Sequence, residues 1–361
     1  MRRYHFEALD PICPRCLRDS GGEAPLVIAS VEKELGADVL EGILCCTAPT
    51  CQLEYPVIDG IPVLHPDLRV FLSENAAQIL ARHDLSESVS SLIGDALGPG
   101  SSFDITRQHL STYAWDHYAE FDPDELADDP RPGGATRILE AGLGLFEKST
   151  AGPLLDLGCA TGRNSFDLAG RSNEIVLGVD LSFAMLQIAR QAQTEGRIRY
   201  PRRRCGVVYD LREFNVAANN AAQVDFWLCD SLALPFRDAS FGTVVALNLI
   251  DCVHSPVNLL STLNRLLVDH GNALLATPYD WAPAATPVEA WIGGHSQRAS
   301  DRGECPPRLA AALGMLRASD PAFLLDVMAE LDHCPWHARL HDRGVMLYSE
   351  HLQALRKRGN H

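Results

Sequence analysis

The sequence predicts an α/β protein in which a parallel sheet is flanked by helices, preceded by a small cysteine-rich unit. From about residue 101, short apolar runs alternate with helical patterns, which is typical of parallel strands joined by crossover helices. The segment LLDLGCATGRNSFDLA at 154–169 then reads as a buried strand end, a tight loop and a helix start. A loop with so few large side chains lets a ligand approach the backbone, where N–H groups at the helix start can bind it.

Composition limits the classes of partner. The chain has 361 residues and a formal net charge of −16, so we expect two or three domains and repulsion from nucleic acid and anionic membranes. No apolar run approaches the ~20 residues that span a bilayer, and the N-terminal segment lacks the apolar core of a signal peptide. Eleven cysteines, mostly scattered singly, are typical of a reducing cytoplasm.

The pattern along the chain predicts three segments: a cysteine-rich module at 1–66, a helical linker at 67–100 and an α/β domain at 101–361. Within the last segment we expect five strands, at 154–157, 175–179, 224–228, 241–247 and 272–277. A late pair at 336–340 and 345–349 alternates weakly and predicts an antiparallel hairpin at the edge of the sheet.

The cysteines of the first segment predict a metal site. Cys13 and Cys16 form a C-x-x-C pair, and a second pair, Cys46 and Cys51, follows about 30 residues later. Cys45 is an additional cysteine beside the second pair. This is the spacing of a four-thiolate zinc site, and a small module needs such a staple. Free buried thiols or a dithiol redox pair are the alternatives, but Pro14 suits a zinc knuckle better. Four thiolates leave no open position, so the zinc is expected to be structural.

The strand after this cluster contains Tyr55-Pro56 and the turn Asp59-Gly60-Ile61-Pro62. Over most of residues 10–66 the module resembles the small zinc-binding proteins that activate tRNA and translation-factor methyltransferases. In that family the module binds its partner through the edge of a β-strand. The resemblance implies that here the module braces the α/β domain of its own chain.

The glycine loop and the residues after the next strands resemble class I S-adenosylmethionine (SAM)-dependent methyltransferases. The resemblance implies a Rossmann-like seven-stranded sheet with helices on both faces. It also implies that Asp180 binds the ribose hydroxyls of SAM, that Asp230 faces the adenine amine and that Asn164, with Arg163, holds the methionine carboxylate. The cofactor set implied in this way is Asp156, Gly158, Cys159, Ala160, Thr161, Gly162, Asn164, Asp180, Leu181, Asp230, Ser231 and Asn248.

Two further segments indicate the class of the methyl acceptor. No Asn/Asp-Pro-Pro-Tyr follows the fourth strand, which argues against nucleic-acid amino methylation. The segments NLIDCVHSP at 248–256 and TPYDWAPAATPVEAWIGG at 277–294 instead resemble the methyltransferase domain of ovothiol-synthesising enzymes. That resemblance implies a small-molecule acceptor, methylated at a ring nitrogen of a thiolated histidine. The chain departs from that family in carrying a zinc module in place of the sulfoxide synthase.

Acceptor-site residues follow from this resemblance. A carboxylate that accepts the second N–H of an imidazole raises the nucleophilicity of its bare nitrogen, a role open to Asp251 or Glu289. Tyr113 and Tyr118, with Trp115 and His117, are expected to form a lid, although plain packing is the better interpretation of Trp115 and Trp291 taken singly. The catalytic candidates are Asn248, Asp251, Tyr279 and Glu289, and the substrate-binding candidates are Tyr113, Tyr118, Tyr279, Trp281 and Trp291.

Two questions stay open at the level of sequence. Arg197, Arg199 and Arg202–Arg204 form a basic cluster that either receives an anionic substrate group or pairs with acidic groups of the same chain, and the second interpretation is favoured. His254 and His295 are possible bases. Two other functions compete with the small-molecule methyltransferase: an RNA or protein methyltransferase that uses the zinc module as recognition platform, and a non-catalytic scaffold.

Overall fold

The first segment folds into two short helices and four antiparallel strands. The computed structural model describes residues 1–125, 130–147, 150–298 and 303–359. The elements of the first segment are α1 (Arg3–Leu9), α2 (Pro14–Ser20), β1 (Leu26–Leu35), β2 (Asp38–Cys46), β3 (Glu54–Ile58) and β4 (Ile61–Leu64). Each consecutive pair of these strands is antiparallel, so the module is a β-meander with the helices before it.

The second segment contains two helices, α3 (Leu68–Ile79) and α4 (Glu87–Leu97). Two more follow before the first strand of the α/β domain, α5 (Ser102–Tyr118) and α6 (Gly134–Leu143). Serine hydroxyls cap the N-termini of α4 and α5, since Ser86 accepts from the Val89 N–H and Ser101 from the Asp104 N–H. These caps fix where each helix begins after the breaker sequences.

The predicted strands of the α/β domain are all present. The strands are β5 (Leu154–Leu157), β6 (Val176–Asp180), β9 (Val224–Cys229), β10 (Phe241–Leu247), β11 (Leu267–Thr277), β12 (Leu325–His341) and β13 (Gly344–Lys357). The helices between them are α7 (Arg163–Ala169), α8 (Phe183–Glu195), α9 (Pro256–Leu266) and α10 (Cys305–Ser319). The late hairpin is confirmed as β12–β13, although both strands are much longer than the alternation indicates.

A separate hairpin, β7 (Arg197–Cys205) and β8 (Val208–Asn215), was not predicted from the sequence. It forms its own two-stranded sheet. Its buried residues Ile198 and Tyr200 alternate with arginines on β7, and the strand packs against α5 and α8. The basic cluster therefore belongs to the first strand of a hairpin.

The main sheet has eleven strands in the order β1-β2-β3-β4-β9-β6-β5-β10-β11-β13-β12. Its last seven strands form the predicted seven-stranded sheet, parallel except for β13, which is antiparallel to both of its neighbours. Helices cover both faces, and central strands such as β5 and β9 are buried along their whole length. No described helix is long and apolar enough to cross a membrane.

The module joins this sheet instead of forming a separate one. Strand β4 pairs in parallel with β9 through Val63↔Leu228 and Leu64↔Cys229. Across the same junction, the Arg190 guanidinium on α8 donates to the Asp38 carboxylate at 3.0 Å. The predicted contact through a strand edge is thus present within one chain.

Candidate active site

A cavity of about 660 Å³ opens at the carboxyl ends of β5, β6, β9 and β10. In a parallel sheet the loops that follow these strands meet at one edge, which is where open α/β sheets bind ligands. Most of the predicted cofactor residues line it: Asp156, Gly158, Cys159, Ala160, Asn164, Asp180, Leu181, Asp230, Ser231 and Asn248. Thr161 and Gly162 lie behind this surface.

The glycine loop is held by its own hydrogen bonds. The N–H groups of Gly158 and Cys159 both donate to the carbonyl of Val179, at 2.9 and 3.0 Å. The N–H of Gly162 donates to the carbonyl of Cys159 at 2.8 Å. These three donors are engaged within the chain, so at these positions the loop offers a ligand a close backbone surface rather than free N–H groups.

Gly162 is required by close packing as well as by conformation. Its φ is +86°, and a Cβ added there would lie 2.7 Å from the Cβ of Ala189 and 2.7 Å from a ring carbon of Phe226. Both the left-handed backbone and this approach exclude a larger residue. Gly162 therefore fixes the loop against α8 and β9.

Three carboxyl groups lie along the cofactor side of the cavity. Asp180 accepts from the Ala160 N–H at 2.9 Å and from the Ser182 N–H at 2.8 Å, and burial raises its pKa. Asp156 accepts from the Ser165 hydroxyl at 2.6 Å, and burial raises its pKa to about 7. Asp230 accepts from the Leu232 N–H at 2.9 Å. Asp180 and Asp230 thus end neighbouring strands, in register for the ribose and adenine roles predicted for them.

The two residues predicted to hold the methionine carboxylate differ in availability. The Asn164 Oδ1 is buried without a hydrogen-bond partner, and the residue lines the cavity. The Arg163 guanidinium instead donates to the carboxylate of Asp167 and to the carbonyl of His117, and pairs with Glu120. The Arg163 guanidinium is thus engaged within the chain. The free atom of Asn164 is an acceptor, which suits an N–H donor such as the methionine ammonium group rather than the carboxylate.

Helix α5 forms one wall of the cavity, as the predicted lid requires, but only some of its aromatic residues face the cavity. Tyr113 and His117 line the cavity. Tyr118 is buried and donates its hydroxyl to the carbonyl of Thr161 at 2.7 Å, while Trp115 is fully buried in the core. Tyr118 thus supports the glycine loop from behind. His117 accepts or donates at Thr161 Oγ1 over 2.8 Å, and burial lowers its pKa to about 3, so its ring is neutral.

Two residues at the carboxyl end of β10 carry unpaired acceptor atoms. Asn248 lines the cavity in a left-handed conformation with φ +53°, and its Oδ1 is buried without a partner. Asp251, three residues on, accepts from the Asp280 N–H through Oδ2 at 2.9 Å, but its Oδ1 is also buried and unpartnered. Burial raises the pKa of Asp251 to about 6. Strained backbone and unsatisfied acceptors in one place are typical of a ligand site.

The segment after β11 contributes differently from what the sequence suggests. Ala282 and Ala285 line the cavity, whereas the four candidates Tyr279, Trp281, Glu289 and Trp291 are absent from its lining among the described residues. Trp281 and Trp291 stack on each other with centroids 5.9 Å apart. Glu289 is exposed to solvent. These aromatic residues shape the loop, and their predicted contact with an acceptor stays a prediction.

Tyr279 also has a left-handed backbone, with φ +57°. Its hydroxyl lies 2.7 Å from Nδ1 of His351 on β13. The other ring nitrogen of His351 is 3.4 Å from the Glu330 carboxylate. In this structure, therefore, Tyr279 ties the loop to the antiparallel edge of the sheet.

One buried acid beside the site had no signal in the sequence. Glu350 on β13 is fully buried, and neither of its side-chain oxygens has a hydrogen-bond partner. It neighbours Asn248 and Asp251, which follow β10 about 100 residues earlier in the chain. Only the pairing of β11 with the antiparallel β13 brings them together.

The four predicted cysteines converge in the module. The Sγ atoms of Cys13, Cys16, Cys46 and Cys51 all lie within 4.8 Å of one another. The Sγ–Sγ distances of 3.9 Å for Cys13–Cys51 and 3.7 Å for Cys16–Cys46 match the edge of about 3.8 Å expected for a tetrahedron of thiolates around zinc. The Ala48 N–H points at the Cys46 sulfur at 3.4 Å, as in a zinc knuckle. The donor set fits zinc.

The arginines of β7 are paired within the chain. Arg202 bonds to Glu125 and Asp342, and Arg199 donates to the carbonyl groups of His83 and Leu85. The remaining three, Arg197, Arg203 and Arg204, also have partners in the same chain. These contacts agree with the interpretation of the cluster as a source of intramolecular partners.

Comparison with known proteins defines the class of the α/β domain. Residues 155–275, about a third of the chain, match the family model described as a methyltransferase domain. The match begins in β5 and ends in β11, so it contains the glycine loop, Asp180, Asp230 and the Asn248–Asp251 turn. The chain therefore carries a SAM-dependent methyltransferase domain with the class I fold, and the protein is a methyltransferase. A search of curated protein sequences gives no significant match.

Solved structures with a related fold are distant. The 4+2 cyclase SpnF is 15% identical over 75% of this chain and 97% of its own, with a TM-score of 0.46. A SAM-dependent methyltransferase from Methanosarcina mazei is 15% identical over 60% of this chain and 97% of its own, with a TM-score of 0.39. A protein of echinomycin biosynthesis is 18% identical over 69% and 94%, with a TM-score of 0.40. At this level the neighbours carry no argument about the substrate.

Proposed function

We propose that this methyltransferase acts on a small molecule and methylates a ring nitrogen of a histidine-like acceptor. The observation that carries the proposal is a pair of buried, unpartnered acceptor atoms, Asn248 Oδ1 and Asp251 Oδ1. Asn248 lines the cavity that also contains the cofactor residues, and Asp251 lies three residues further on, behind that lining. Buried acceptors without donors are costly, so they favour a ligand that brings N–H groups to them.

The chemistry asks little of the protein beyond positioning. SAM supplies a methyl group that its sulfonium already activates, and Asp180, Asp230 and Asn164 are the residues that would hold it. An imidazole is largely neutral at pH 7 and has one bare nitrogen. The Asn248–Asp251 turn would orient that ring by accepting its N–H, and orientation of this kind is worth ~7–11 kcal/mol of a bimolecular barrier.

A small acceptor suits the surroundings of the cavity better than RNA or a protein. No residue of 1–66 is among those that line it, although all of that module is described. The module extends the opposite edge of the sheet, beyond β9, so a recognition platform there would be remote from Asn248 and Asp251. The net charge of −16 also opposes a nucleic-acid partner.

We propose further that the four-cysteine cluster binds zinc as a structural ion. Four thiolates complete a tetrahedron and leave no site for substrate. A reducing compartment such as the cytoplasm suits a chain in which all eleven cysteines are free thiols in the structure. The division into a module at 1–66, a linker at 67–100 and a catalytic domain at 101–361 is part of the same proposal.

Calorimetric titration tests this function directly. The protein is first titrated with S-adenosylhomocysteine, and the loaded protein is then titrated with thiolated histidine, histidine and bulk tRNA. Binding of the cofactor product and of one histidine-like acceptor is the expected result. Cofactor binding with tRNA as the sole acceptor would indicate RNA methylation instead. Absence of cofactor binding would indicate a non-catalytic scaffold.

A further inference from the structure

A second cavity, of about 530 Å³, lies where the module, the linker helices and the α/β domain meet. Its lining comes from β1 and β2, from helices α3, α4, α5 and α8, and from the hairpin β7–β8. Among the described residues it shares none of its lining with the cofactor cavity, although α5 and α8 contribute to both. A cavity of this volume is of the size that holds small-molecule ligands. A ligand bound here would occupy a site separate from those of SAM and of the methyl acceptor.

One cation in the lining of this second cavity has no partner. Arg107 on α5 is only 9% exposed, and its Nε is buried without a hydrogen-bond partner. No described carboxylate lies within ion-pair distance of its guanidinium, and no described group accepts a hydrogen bond from it. Burial lowers the pKa of Arg107, but a guanidinium keeps its proton in proteins at neutral pH. Because a buried charge without a counter-charge is costly, the site favours an anion.

The nearest acids do not supply that anion. Asp104 and Asp95 both attract Arg107 through space, but neither pairs with it. The Asp104 carboxylate already accepts hydrogen bonds from a backbone N–H, from a glutamine amide and from the hydroxyl of Tyr209. Asp95 on α4 is exposed, so solvent screens its charge.

The other charged side chains of the described lining are engaged within the chain. Four of them are cations that each pair with a carboxylate: Lys33, Arg82, Arg190 and Arg199. Four are acids that each have a donor or cation of this chain as partner: Asp59, Glu87, Glu195 and Asp210. Arg107 is therefore the charged group that remains available to a ligand.

The guanidinium of Arg107 is held in place by stacking. Its Cζ lies 3.9 Å from the centroid of the Tyr209 ring and 5.2 Å from that of Phe103. Helix α4 packs closely on it as well, since a Cβ added at Gly94 would lie 2.6 Å from its Nη1. Unlike Nε, the two Nη atoms are not fully buried, so they are the donors that a ligand can reach. A guanidinium fixed in this way loses little freedom on binding.

Apolar side chains form much of the remaining lining. They include Leu85 before α4, Leu110 on α5, Ile188 on α8 and Leu211 on β8. One cation among apolar walls is suited to an amphipathic anion. A carboxylate carries the single negative charge that one cation balances, whereas a phosphate monoester carries about 1.5–2 charges at neutral pH. The lining therefore favours a carboxylate.

We propose that this second cavity binds a small carboxylic acid with an apolar body, and that Arg107 holds its carboxylate. The two Nη donors match the two oxygens of a carboxylate, and the body would lie against the apolar walls. The lining comes from the module, the linker and the α/β domain, so the ligand would join all three. Because it would bind only the folded chain, it should raise the melting temperature.

Calorimetric titration of the full chain with decanoate and with phenylbutanoate tests the site. Wild type is compared with Arg107→Gln and with the matched control Arg82→Gln, at an exposed arginine that lines the same cavity but pairs with Asp84. We expect wild type to bind one molecule per chain and to melt at a higher temperature when it is loaded. Arg107→Gln should weaken binding at least tenfold, and Arg82→Gln should stay within twofold of wild type. Arg107→Lys keeps the charge but not the paired donors, so its affinity should lie between those of wild type and Arg107→Gln.

Matched ligands separate the headgroup from the body. Decanamide has the body of decanoate without its charge, so it should bind wild type at least tenfold more weakly and should not distinguish wild type from Arg107→Gln. Acetate has the charge without the body and should also bind at least tenfold more weakly than decanoate. Tighter binding of decyl phosphate than of decanoate would overturn the assignment of a carboxylate.

S-adenosylhomocysteine separates the two cavities. Decanoate should bind the loaded and the unloaded protein with affinities within twofold, and Arg107→Gln should bind S-adenosylhomocysteine as wild type does. Circular dichroism verifies that each variant folds; if Arg107→Gln does not, Arg107→Lys and the decanoate–decanamide pair decide. Equal affinity of decanoate for wild type and Arg107→Gln, its displacement by S-adenosylhomocysteine, or no binding of either acid below about 1 mM would overturn the inference. These measurements use no methyl acceptor, so they are independent of the proposed function.

Discussion

Replacing Glu350 with Gln should stabilise the protein, and should do so more strongly as the pH rises. The ordinary pKa of a glutamic acid applies to the unfolded chain, whereas burial and the charge of Asp251 raise the pKa of Glu350 in the folded state from 4.5 to about 8. Between these two values the folded protein holds a proton that the unfolded chain has released. The free energy of unfolding therefore falls with rising pH across that interval in wild type. Glutamine has nearly the same shape and does not titrate, so the variant lacks this loss.

The magnitude follows from the slope of about 1.4 kcal/mol per pH unit for one proton. Between about pH 5 and pH 8, the gap in unfolding free energy between variant and wild type should widen by up to roughly 4 kcal/mol. At about 2 °C per kcal/mol for a chain of this size, the melting temperatures should separate by several degrees. All other titrating groups are common to both proteins, so the difference isolates Glu350 and its effect on Asp251.

Urea unfolding followed by tryptophan fluorescence measures this gap at four pH values. Glu289→Gln, at an exposed glutamate in the same region, is the control and should follow wild type at every pH. A constant gap between Glu350→Gln and wild type would refute the reasoning, because it would mean that Glu350 is ionised and compensated in the folded state.

Three further changes test the cofactor site, the metal cluster and the glycine loop. Asp180→Ala should leave the protein folded but weaken S-adenosylhomocysteine binding at least 100-fold by calorimetry, and unchanged affinity would contradict the ribose role. Cys13→Ser should lower the zinc content measured by elemental analysis and should also lower the melting temperature. It should weaken cofactor binding several-fold. Cys45→Ser, outside the cluster, should change none of these three quantities. Gly162→Ala should cost about 2–4 kcal/mol in urea unfolding because its Cβ has no room, against about 1 kcal/mol for Gly206→Ala, where the Cβ meets nothing. Equal costs for the two would show that the loop relaxes.

The parallel part of the fold was predictable because its signals are local. Strands β5 and β10 begin and end where the sequence analysis put them, since a strand buried on both faces reads as a continuous apolar run between turn residues. The hairpin β7–β8 was hidden because arginines occupy five of the nine positions of β7 and Pro201 interrupts the pattern. Its strands rely on packing against α5 and α8, which a local pattern does not record.

The cofactor side of the site was predictable for the same reason, and the acceptor side was not. Asp180 and Asp230 each follow a strand directly, so parallel register alone brings them to one edge. The acceptor side depends on left-handed residues and on an antiparallel partner. At Tyr279 the left-handed backbone accompanies a side chain bonded to His351 rather than one in the cavity lining. Glu350 comes to lie behind Asn248 and Asp251 from the far end of the chain, through a register that no spacing in the sequence indicates.

The position of the module explains why loss of a structural zinc ion would affect the cofactor site. Strand β4 pairs with β9 through Leu64↔Cys229, and the next residue after Cys229 is Asp230, which lines the cavity. Without the module, β9 would be an exposed edge strand with unpaired backbone groups, and edge strands are the least constrained part of a sheet. The module covers that edge, and Arg190 ties it to α8 through Asp38. On the proposed function, the module would therefore fix the strand that presents Asp230, a role that needs no contact between a zinc cluster and the substrate.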